Sequence, residues 1–371
     1  MHLELTAGSA SSASTVRRCR VTVLAGQLFI AGLIGLPMSS AGQGACRIPT
    51  IGEFGGSPQT GAVPRRPEVN LLTEGTYCLR EDAHQRKLLD PRNGEEMRTL
   101  GGNAVILLGA DDIRLDLGGH KVSNERALGY TLVKHYRYEP GRRHTHWFRR
   151  THIRNGSLLS PGSKGIGLGL TSAGMYGPRG FGSIAAVPAG QTVADTFAAT
   201  GHLVESLEIR AGYRGILIDG KNNVIRNNRI IVDSATAIVA QGPGVVIENN
   251  VIEVRNDLSG YSDYARSEEW KLPFPIRLIQ ADGAIVRNNL IRVVAPAARG
   301  PLPAAVELLQ STEVLVEANR LEGFEAAVRS DPVSTHRDVD NRLDPCGARA
   351  VRFLAPDERA MGQLTVRPAC R

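Results

Sequence analysis

The 371-residue sequence predicts an all-β chain, wound as one parallel β-helix solenoid. A six-residue phrase carries the prediction: Ile225-Arg226-Asn227-Asn228-Arg229-Ile230, Ile247-Glu248-Asn249-Asn250-Val251-Ile252, Val286-Arg287-Asn288-Asn289-Leu290-Ile291 and Val316-Glu317-Ala318-Asn319-Arg320-Leu321. An apolar residue, two small polar residues and another apolar residue do not continue a helix face. They fit two short strands meeting at a tight bend, where Asn tolerates left-handed backbone angles. The smallest spacings between copies, 21 and 22 residues, have the length of one repeat unit. A second column supports this: Asp219, Gln241, Gln280 and Gln310 each stand nine residues before the second Asn, after a short β-type run. Composition agrees, with 41 Gly and only 5% aromatic residues.

Weaker copies of the phrase precede the four clean ones, at Leu117–Val122, Ile153–Leu158 and Val204–Ile209. First residues at 117, 153, 204, 225, 247, 286 and 316 give spacings of 36, 51, 21, 22, 39 and 30. The longer spacings are one repeat plus an insertion. When coils stack, Asn228, Asn250, Asn289 and Asn319 should form a structural ladder of side-chain amides. Alternation in Ile113-Arg114-Leu115-Asp116-Leu117 points the three apolar residues inward. The Asp219, Gln241, Gln280 and Gln310 column is expected to be structural too, with its amides satisfying turn backbone.

Residues 1–41 stand apart. Arg17, Arg18 and Arg20 precede the apolar run Val21–Leu36, and Pro37 and Ser39-Ser40-Ala41 follow. This reads as a secretory signal with cleavage near Ala41 or Ala45, the alternative being an uncleaved anchor. The expected address is secreted or periplasmic. Residues 42–102, with Pro49, Pro58, Pro64, Pro67 and Pro91, are expected to form an N-terminal cap and irregular segment. The solenoid is expected over 103–330, and a C-terminal cap over 331–371. Beyond the signal four cysteines remain, Cys46, Cys78, Cys346 and Cys370, two near each end. In an exported chain they are expected to form disulfides. Three pairings are possible, and Cys46–Cys78 with Cys346–Cys370 is favoured because solenoid ends need capping.

Gly75-Thr76-Tyr77, Ala104-Val105-Ile106-Leu107 and Asp116-Leu117-Gly118-Gly119-His120-Lys121-Val122 resemble the opening of right-handed parallel β-helix proteins of the pectin-lyase-like superfamily. The Asn-Asn rungs continue the resemblance to about Asp331. It implies the fold, and an activity among polysaccharide lyases, glycoside hydrolases, uronate epimerases, phage tailspikes or non-catalytic carbohydrate-binding proteins. The Asn-Thr-Asp, Asp-Asp, Gly-His-Gly and Arg-Ile-Lys set of polygalacturonases is missing, as are the Asp-Pro-His-Glu signature of alginate epimerases and the Asp cluster of calcium-dependent pectate lyases. No catalytic residue carries over from them.

Function is expected in the insertions, at about 123–151, 171–201, 255–275 and 294–304. Both tryptophans lie there. The first insertion holds Lys134, His135, Tyr136, Arg142, Arg143, His144, His146 and Trp147. Elimination on a uronate needs a cation to neutralise the carboxylate and a base to take the adjacent proton. Arg143 suits the first role, and His144, His146 or Tyr136 the second. Arg142 and Trp147, with Tyr261, Tyr264 and Trp270 of the third insertion, are expected to bind substrate. His144-x-His146 offers two metal ligands, too few for a site, so no metal and no cofactor is expected.

Without the signal's Arg17, Arg18, Arg20 and Glu4, the totals of 44 basic and 37 acidic residues become 41 and 36. That modest positive balance favours an acidic polysaccharide as partner over nucleic acid. No further membrane span and no oligomer is expected. The leading expectation is recognition, and cleavage by a metal-independent lyase reaction, of an acidic polysaccharide, with glycoside hydrolysis a less favoured activity. The alternative is a non-catalytic binding or structural surface or envelope protein.

Overall fold

The computed structural model describes residues 46–47, 69–85, 104–124, 131–135, 147–161, 164–169, 190, 192, 195, 197–257, 274–294 and 301–345. They build nine coils of a parallel β-helix. One strand from each coil enters a nine-stranded parallel sheet, in chain order Val69–Leu71, Ile106–Leu108, Thr131–His135, Lys164–Leu168, Ile216–Asp219, Ile238–Gln241, Ile276–Ile279, Leu302–Leu309 and Phe324–Ser330. The other sheet has sixteen strands, because it bends along its length into two columns. In the fifth coil the bend joins Val224–Arg226 to Arg229–Val232, while in the third and fourth the strands His152–Ser160 and Leu203–Ala211 run through it unbroken. Among the described residues no helix is long and apolar enough to cross a membrane.

The bend shows why the phrase needs two asparagines. The first takes a left-handed backbone: Asn227, Asn249 and Asn288 have φ of 56°, 56° and 55°. The second points inward and bonds along the stack. Asn228 Nδ2 donates to Asn250 Oδ1, Asn250 Nδ2 to Asn289 Oδ1 and Asn289 Nδ2 to Asn319 Oδ1, each at 3.0 Å. The file continues one coil further than the repeat indicates, since Asn319 Nδ2 donates to Asn341 Oδ1 at 2.8 Å. Asp338 occupies the place of the apolar residue that marks the other copies, which hides this last one. Asp338 also ends the file, accepting from Asn341 Nδ2 at 2.7 Å.

Ala318 fills the left-handed position of its coil, at φ 53°, without the local hydrogen bonding of Asn. Replacing Ala318 by Asn is expected to stabilise the protein by about 0.5–1 kcal/mol. A rise in the denaturant midpoint at unchanged slope would register it; no rise would mean that the bend does not strain alanine.

The core is a column of aliphatic side chains stacked coil on coil, with Ile166, Ile216, Ile238 and Ile276 in register and fully buried. Ile113, Leu115 and Leu117 point into it, as their alternation predicts. The regular coils extend beyond 103–330. Val69–Leu71, Gly75–Cys78 and Ala83–Gln85 already form a complete first coil, and His336–Val339 and Arg342–Asp344 complete a ninth. Pro-rich surroundings hid the first coil, and polar inward residues hid the last.

The insertions are also shorter than the repeat spacing indicates. Thr131–His135 is a strand of the sheet inside the first of them, and Leu302–Leu309 begins within the fourth. The second polar column does not keep one register: Gln241 pairs with Ile279, not with Gln280. Gln280 and Gln310 take the left-handed corner themselves, at φ 49° and 48°, where the earlier coils use Gly220 and Gly242. Their amides still meet, from Gln241 Nε2 to Gln280 Oε1 at 3.4 Å and from Gln280 Nε2 to Gln310 Oε1 at 3.3 Å.

Cys46 and Cys78 are joined, with Cα atoms 5.8 Å apart and a sequence separation of 32. The bond holds Arg47 against Tyr77 in a parallel bridge on the first coil. Cys346 and Cys370 lie outside the described residues, as do residues 1–45. Reducing Cys46–Cys78 is expected to destabilise the first coil by about 2–4 kcal/mol. Hydrogen exchange should then quicken at Cys78 and Leu79, whose amides bond Arg47 and Asp116, and stay slow at Ile230. Uniform loss of protection would show that the first coil does not fray by itself.

Candidate functional site

The three outer faces of the solenoid differ in charge. On the first column of the bent sheet, Asp116, Arg154, Glu205, Arg226, Glu248, Arg287 and Glu317 lie in register with signs alternating coil by coil. Arg154–Asp116, Arg226–Glu205 and Arg287–Glu248 pair at 3.0, 2.8 and 2.7 Å. His152 Nε2 also meets Glu205, at 2.8 Å. Burial alone would raise the Glu205 carboxyl, but hydrogen bonds from Arg226 and His152 outweigh it and hold it below its usual range. The second column is neutralised in the same way, Glu253 lying against both Arg229 and Arg292. On these faces acidic and basic side chains largely pair with each other, although Arg292 Nε and Glu322 Oε2 are buried without a hydrogen-bond partner.

The outer face of the nine-stranded sheet is different. Its outward positions from the third coil onward are Lys134, Gly167, Leu217, Val239, Arg277 and Glu307, with Gly169, Asp219, Gln241, Ile279 and Leu309 beside them. Arg277 pairs with Glu307, as their equivalent places predict. Leu217, Val239 and Ile279 are buried although they point away from the core. Lys134 and Asp219 are buried with them, at 1% and 7% exposure.

Burial pushes the Asp219 carboxyl up to about 8, so the acid keeps its proton at neutral pH. Burial likewise brings the Lys134 ammonium down to about 8. Asp219 Oδ1 has no hydrogen-bond partner. A buried polar atom left so costs about 1–3 kcal/mol, which a bound hydroxyl would recover.

Glycines separate the two groups. Gly167 lies between Lys134 and Leu217, and Gly169 lies beside Asp219. A Cβ at 169 would sit 2.7 Å from both the Asp219 Cβ and the Asp219 carbonyl oxygen, so only glycine lets the two coils pack this closely here. Two strand spacings and two residues separate Lys134 from Asp219, roughly 12 Å between Cα atoms at ordinary strand geometry.

A buried polar corner supports this packing. Asn223 Nδ2 donates to the Asp219 carbonyl at 3.1 Å, and Asn223 Oδ1 accepts from Thr200 at 2.7 Å. Gly169 N–H donates to His135 Nδ1 at 2.9 Å, which leaves the His135 proton on Nε2, facing Thr151 Oγ1 at 2.8 Å. Thr151 N–H then donates to His202 Nδ1 at 3.1 Å. Burial drives His202 down to about 3, so it stays neutral. The His135 and His202 rings lie 4.9 Å apart, but each Nδ1 already accepts a backbone proton, so the pair is not arranged to grip a metal. Among the described residues no group of three His, Cys, Asp or Glu side chains gathers as a metal site.

The inserted segments are all connected to this sheet. Segments 136–146 and 170–189 leave the carboxyl ends of Thr131–His135 and Lys164–Leu168, and segments 258–273 and 295–300 return towards Ile276–Ile279 and Leu302–Leu309. Trp147 packs edge-to-face on Phe197, with centroids 6.0 Å apart, so the ends of the first two insertions meet. Tyr136, Arg142, Arg143, His144 and His146 lie outside the described residues, as do Tyr261, Tyr264 and Trp270. The meeting of the first and third insertions over one groove therefore lies outside them too.

Lys134 and His135 read as loop residues of the first insertion and are instead buried on a strand. Asp219 read as one member of a structural column, although its neighbours there are uncharged glutamines and it alone carries an acid. The Gly167 and Gly169 alternation ahead of it was the available signal for close packing of the two coils at that position.

No family model matches the sequence, and no curated protein matches it. A solved structure similar to the chain is the A-module of the Azotobacter vinelandii mannuronan C-5 epimerase AlgE4, at 12% identity and a TM-score of 0.25, over 74% of this chain and 87% of that one. The chain is a parallel β-helix repeat protein on the evidence of its own strand register.

Proposed function

We propose that this is an exported protein that recognises an acidic polysaccharide along the outer face of the nine-stranded sheet. The difference between the faces carries the reading. Two faces carry ladders of ion pairs, while the third holds a buried acid, a buried amine and apolar surface, and its strands adjoin every large insertion in the sequence. Arg142 and Arg143 would pair with uronate carboxylates, and Trp147, Tyr261, Tyr264 and Trp270 would stack on sugar rings. His144, His146 and Tyr136 would stand at the rim as acid–base groups. The reaction this suits is β-elimination, which needs no metal.

The test is titration calorimetry against a panel of acidic and neutral polysaccharides, with ultraviolet detection of the unsaturated uronate product. Binding to an acidic polymer is expected, weakened by salt and by Arg143→Ala about tenfold, the loss of one charge-assisted pair. Binding to none of the panel, or to neutral and acidic polymers alike, would refute the reading.

A further inference from the structure

We propose that the outer face of the first column of the bent sheet docks a second copy of this chain, antiparallel, about a two-fold axis that runs along the strands. The inference goes beyond the polysaccharide reading, which uses a different face. Two files of outward side chains define the surface. In one, Leu203, Val224, Val246, Ile285 and Leu315 follow one another in register on successive coils. Each is only half-buried and keeps apolar surface in contact with water. Single exposed aliphatic residues are ordinary, but an unbroken line of them, about 19 Å long at ordinary strand spacing, is a stripe. The other file, two residues further along the same strands, is the ladder Arg154, Glu205, Arg226, Glu248, Arg287 and Glu317.

The alternating signs of the ladder choose both the occupant and its pose. A two-fold axis along the strands keeps each file over its own copy and reverses the order of the coils. With the axis between the fifth and sixth coils, Arg226 meets Glu248 of the partner subunit, Glu205 meets the partner's Arg287 and Arg154 meets the partner's Glu317. All of these pairs are of opposite sign, and symmetry makes each of them twice. The apolar files close beside them, Val224 on the partner's Val246 and Leu203 on the partner's Ile285. Moving the axis half a spacing, onto the sixth coil, would set Glu248 against the partner's Glu248 and Arg226 against the partner's Arg287, which repel. An unrelated partner would need the inverse ladder at the same spacing, whereas this chain carries its own complement.

The ion pairs within the chain do not use the ladder up. A guanidinium has five N–H donors, and the Arg226 and Arg287 side chains stay 40% and 42% exposed while paired. Glu317 has no ion pair among the described residues, and the partner's Arg154 supplies one. At the ends Arg114 lies against the partner's Arg337, both exposed, where water and salt screen the repulsion. Coils three to eight, about three residues wide, contribute roughly 300–400 Å² from each copy, against about 800 Å² in a stable complex. The dimer is therefore expected to be weak, with a Kd on the order of 10⁻⁴ M. It leaves the nine-stranded sheet of each copy uncovered.

The experiment is sedimentation equilibrium of the purified protein from about 10⁻⁶ to 10⁻³ M, at low and high salt. The wild type is expected to dimerise at the upper end, and about tenfold more salt should weaken the dimer about tenfold. Val246→Lys puts a charge into the stripe and should weaken it about tenfold or more. Glu317→Arg, at an outward position with no ion pair to lose, should weaken it about three- to tenfold and leave thermal unfolding unchanged. Register is read by mixing Val224→Cys with Val246→Cys chains under a short bismaleimide. The mixture should give more crosslinked dimer than either variant alone. A monomer over the whole concentration range would overturn the proposal. So would a dimer that neither Val246→Lys nor Glu317→Arg weakens, which would lie on another face. Crosslinking of Val246→Cys with itself as strong as in the mixture would set the axis on a coil and overturn it too. Glycan binding enters none of these outcomes, so the dimer and the polysaccharide reading fail separately.

Discussion

Replacing Asp219 by Asn is expected to stabilise the protein on the order of 4–6 kcal/mol at pH 8 and above, and by little at pH 4. The cause is the cost of keeping a carboxyl out of water. In the unfolded chain Asp219 ionises near 3.8, whereas in the fold burial holds its proton until about 8. A raised folded value means that the native state binds the extra proton between those limits. The stability Asp219 contributes is therefore complete below pH 3.8 and is lost as pH rises through about 8. Asparagine has no proton to lose, so the gap between variant and wild type should open across that window and then level off.

His202 works in the opposite direction. Its folded value is depressed to about 3, so its contribution is present above 6.5 and is lost as pH falls. Across the acidic range the two effects offset each other in the wild type, and only the comparison with Asp219→Asn isolates the carboxyl. Lys134 adds a third window. Its ammonium is depressed from 10.5 to about 8, so stability should rise with pH between those values in wild type and not in Lys134→Met. Denaturant unfolding of the variants from pH 4 to 10 would read all three. A constant gap between wild type and Asp219→Asn across the range would show that this carboxyl ionises as it does in water. A variant more stable and less active would mark a group retained for chemistry at a cost in stability.

Removing one member of the asparagine file should have the opposite sign. Asn250→Ala is expected to cost about 3–4 kcal/mol, from roughly 1 kcal/mol for each lost bond and more where a buried partner is stranded. Asn250 Oδ1 accepts from both the backbone and the side chain of Asn228, each at 3.0 Å. Its Nδ2 donates to the Ile225 carbonyl at 2.9 Å and to Asn289 Oδ1 at 3.0 Å. Alanine removes all four, although Asn289 Oδ1 keeps the residue-250 N–H at 2.9 Å and Asn228 Nδ2 keeps the Val204 carbonyl at 3.0 Å. Asn250→Asp, which has the same shape, should be no better at neutral pH, because a carboxylate oxygen would then face two acceptors. It should recover as that carboxyl protonates in acid. A cost below about 1 kcal/mol for Asn250→Ala would show that the file is a consequence of stacking and not one of its supports.

The file was legible in the sequence because it is periodic. Each asparagine's role depends on the copy of the same phrase one coil above and below, so repetition along the chain already encodes the contact in space. Legibility ended where the period was disguised. Asp338 in an apolar place hid the ninth coil, and the prolines ahead of Val69 hid the first. The glutamine column shares the spacing of the asparagines, yet Gln280 stands in the corner and Gln241 on the strand, because glycine serves the corner in one coil and glutamine in the other. Spacing alone does not distinguish a residue at a corner from one just before it.

The sequence by itself determined that the chain coils, that asparagines mark the bends of its later coils and that Cys46 and Cys78 lie near one end. All of these follow from local backbone preference repeated at a fixed period. Only the tertiary structure decided that Lys134 and Asp219 share one face across a floor of glycine. They are separated by 85 positions in the chain, and two insertions of different length intervene, so no period relates them. Nor does residue type reveal their protonation. An aspartic acid holds its proton near neutral pH only because the stacked coils shut water out, and that exclusion belongs to the folded assembly and not to the residue.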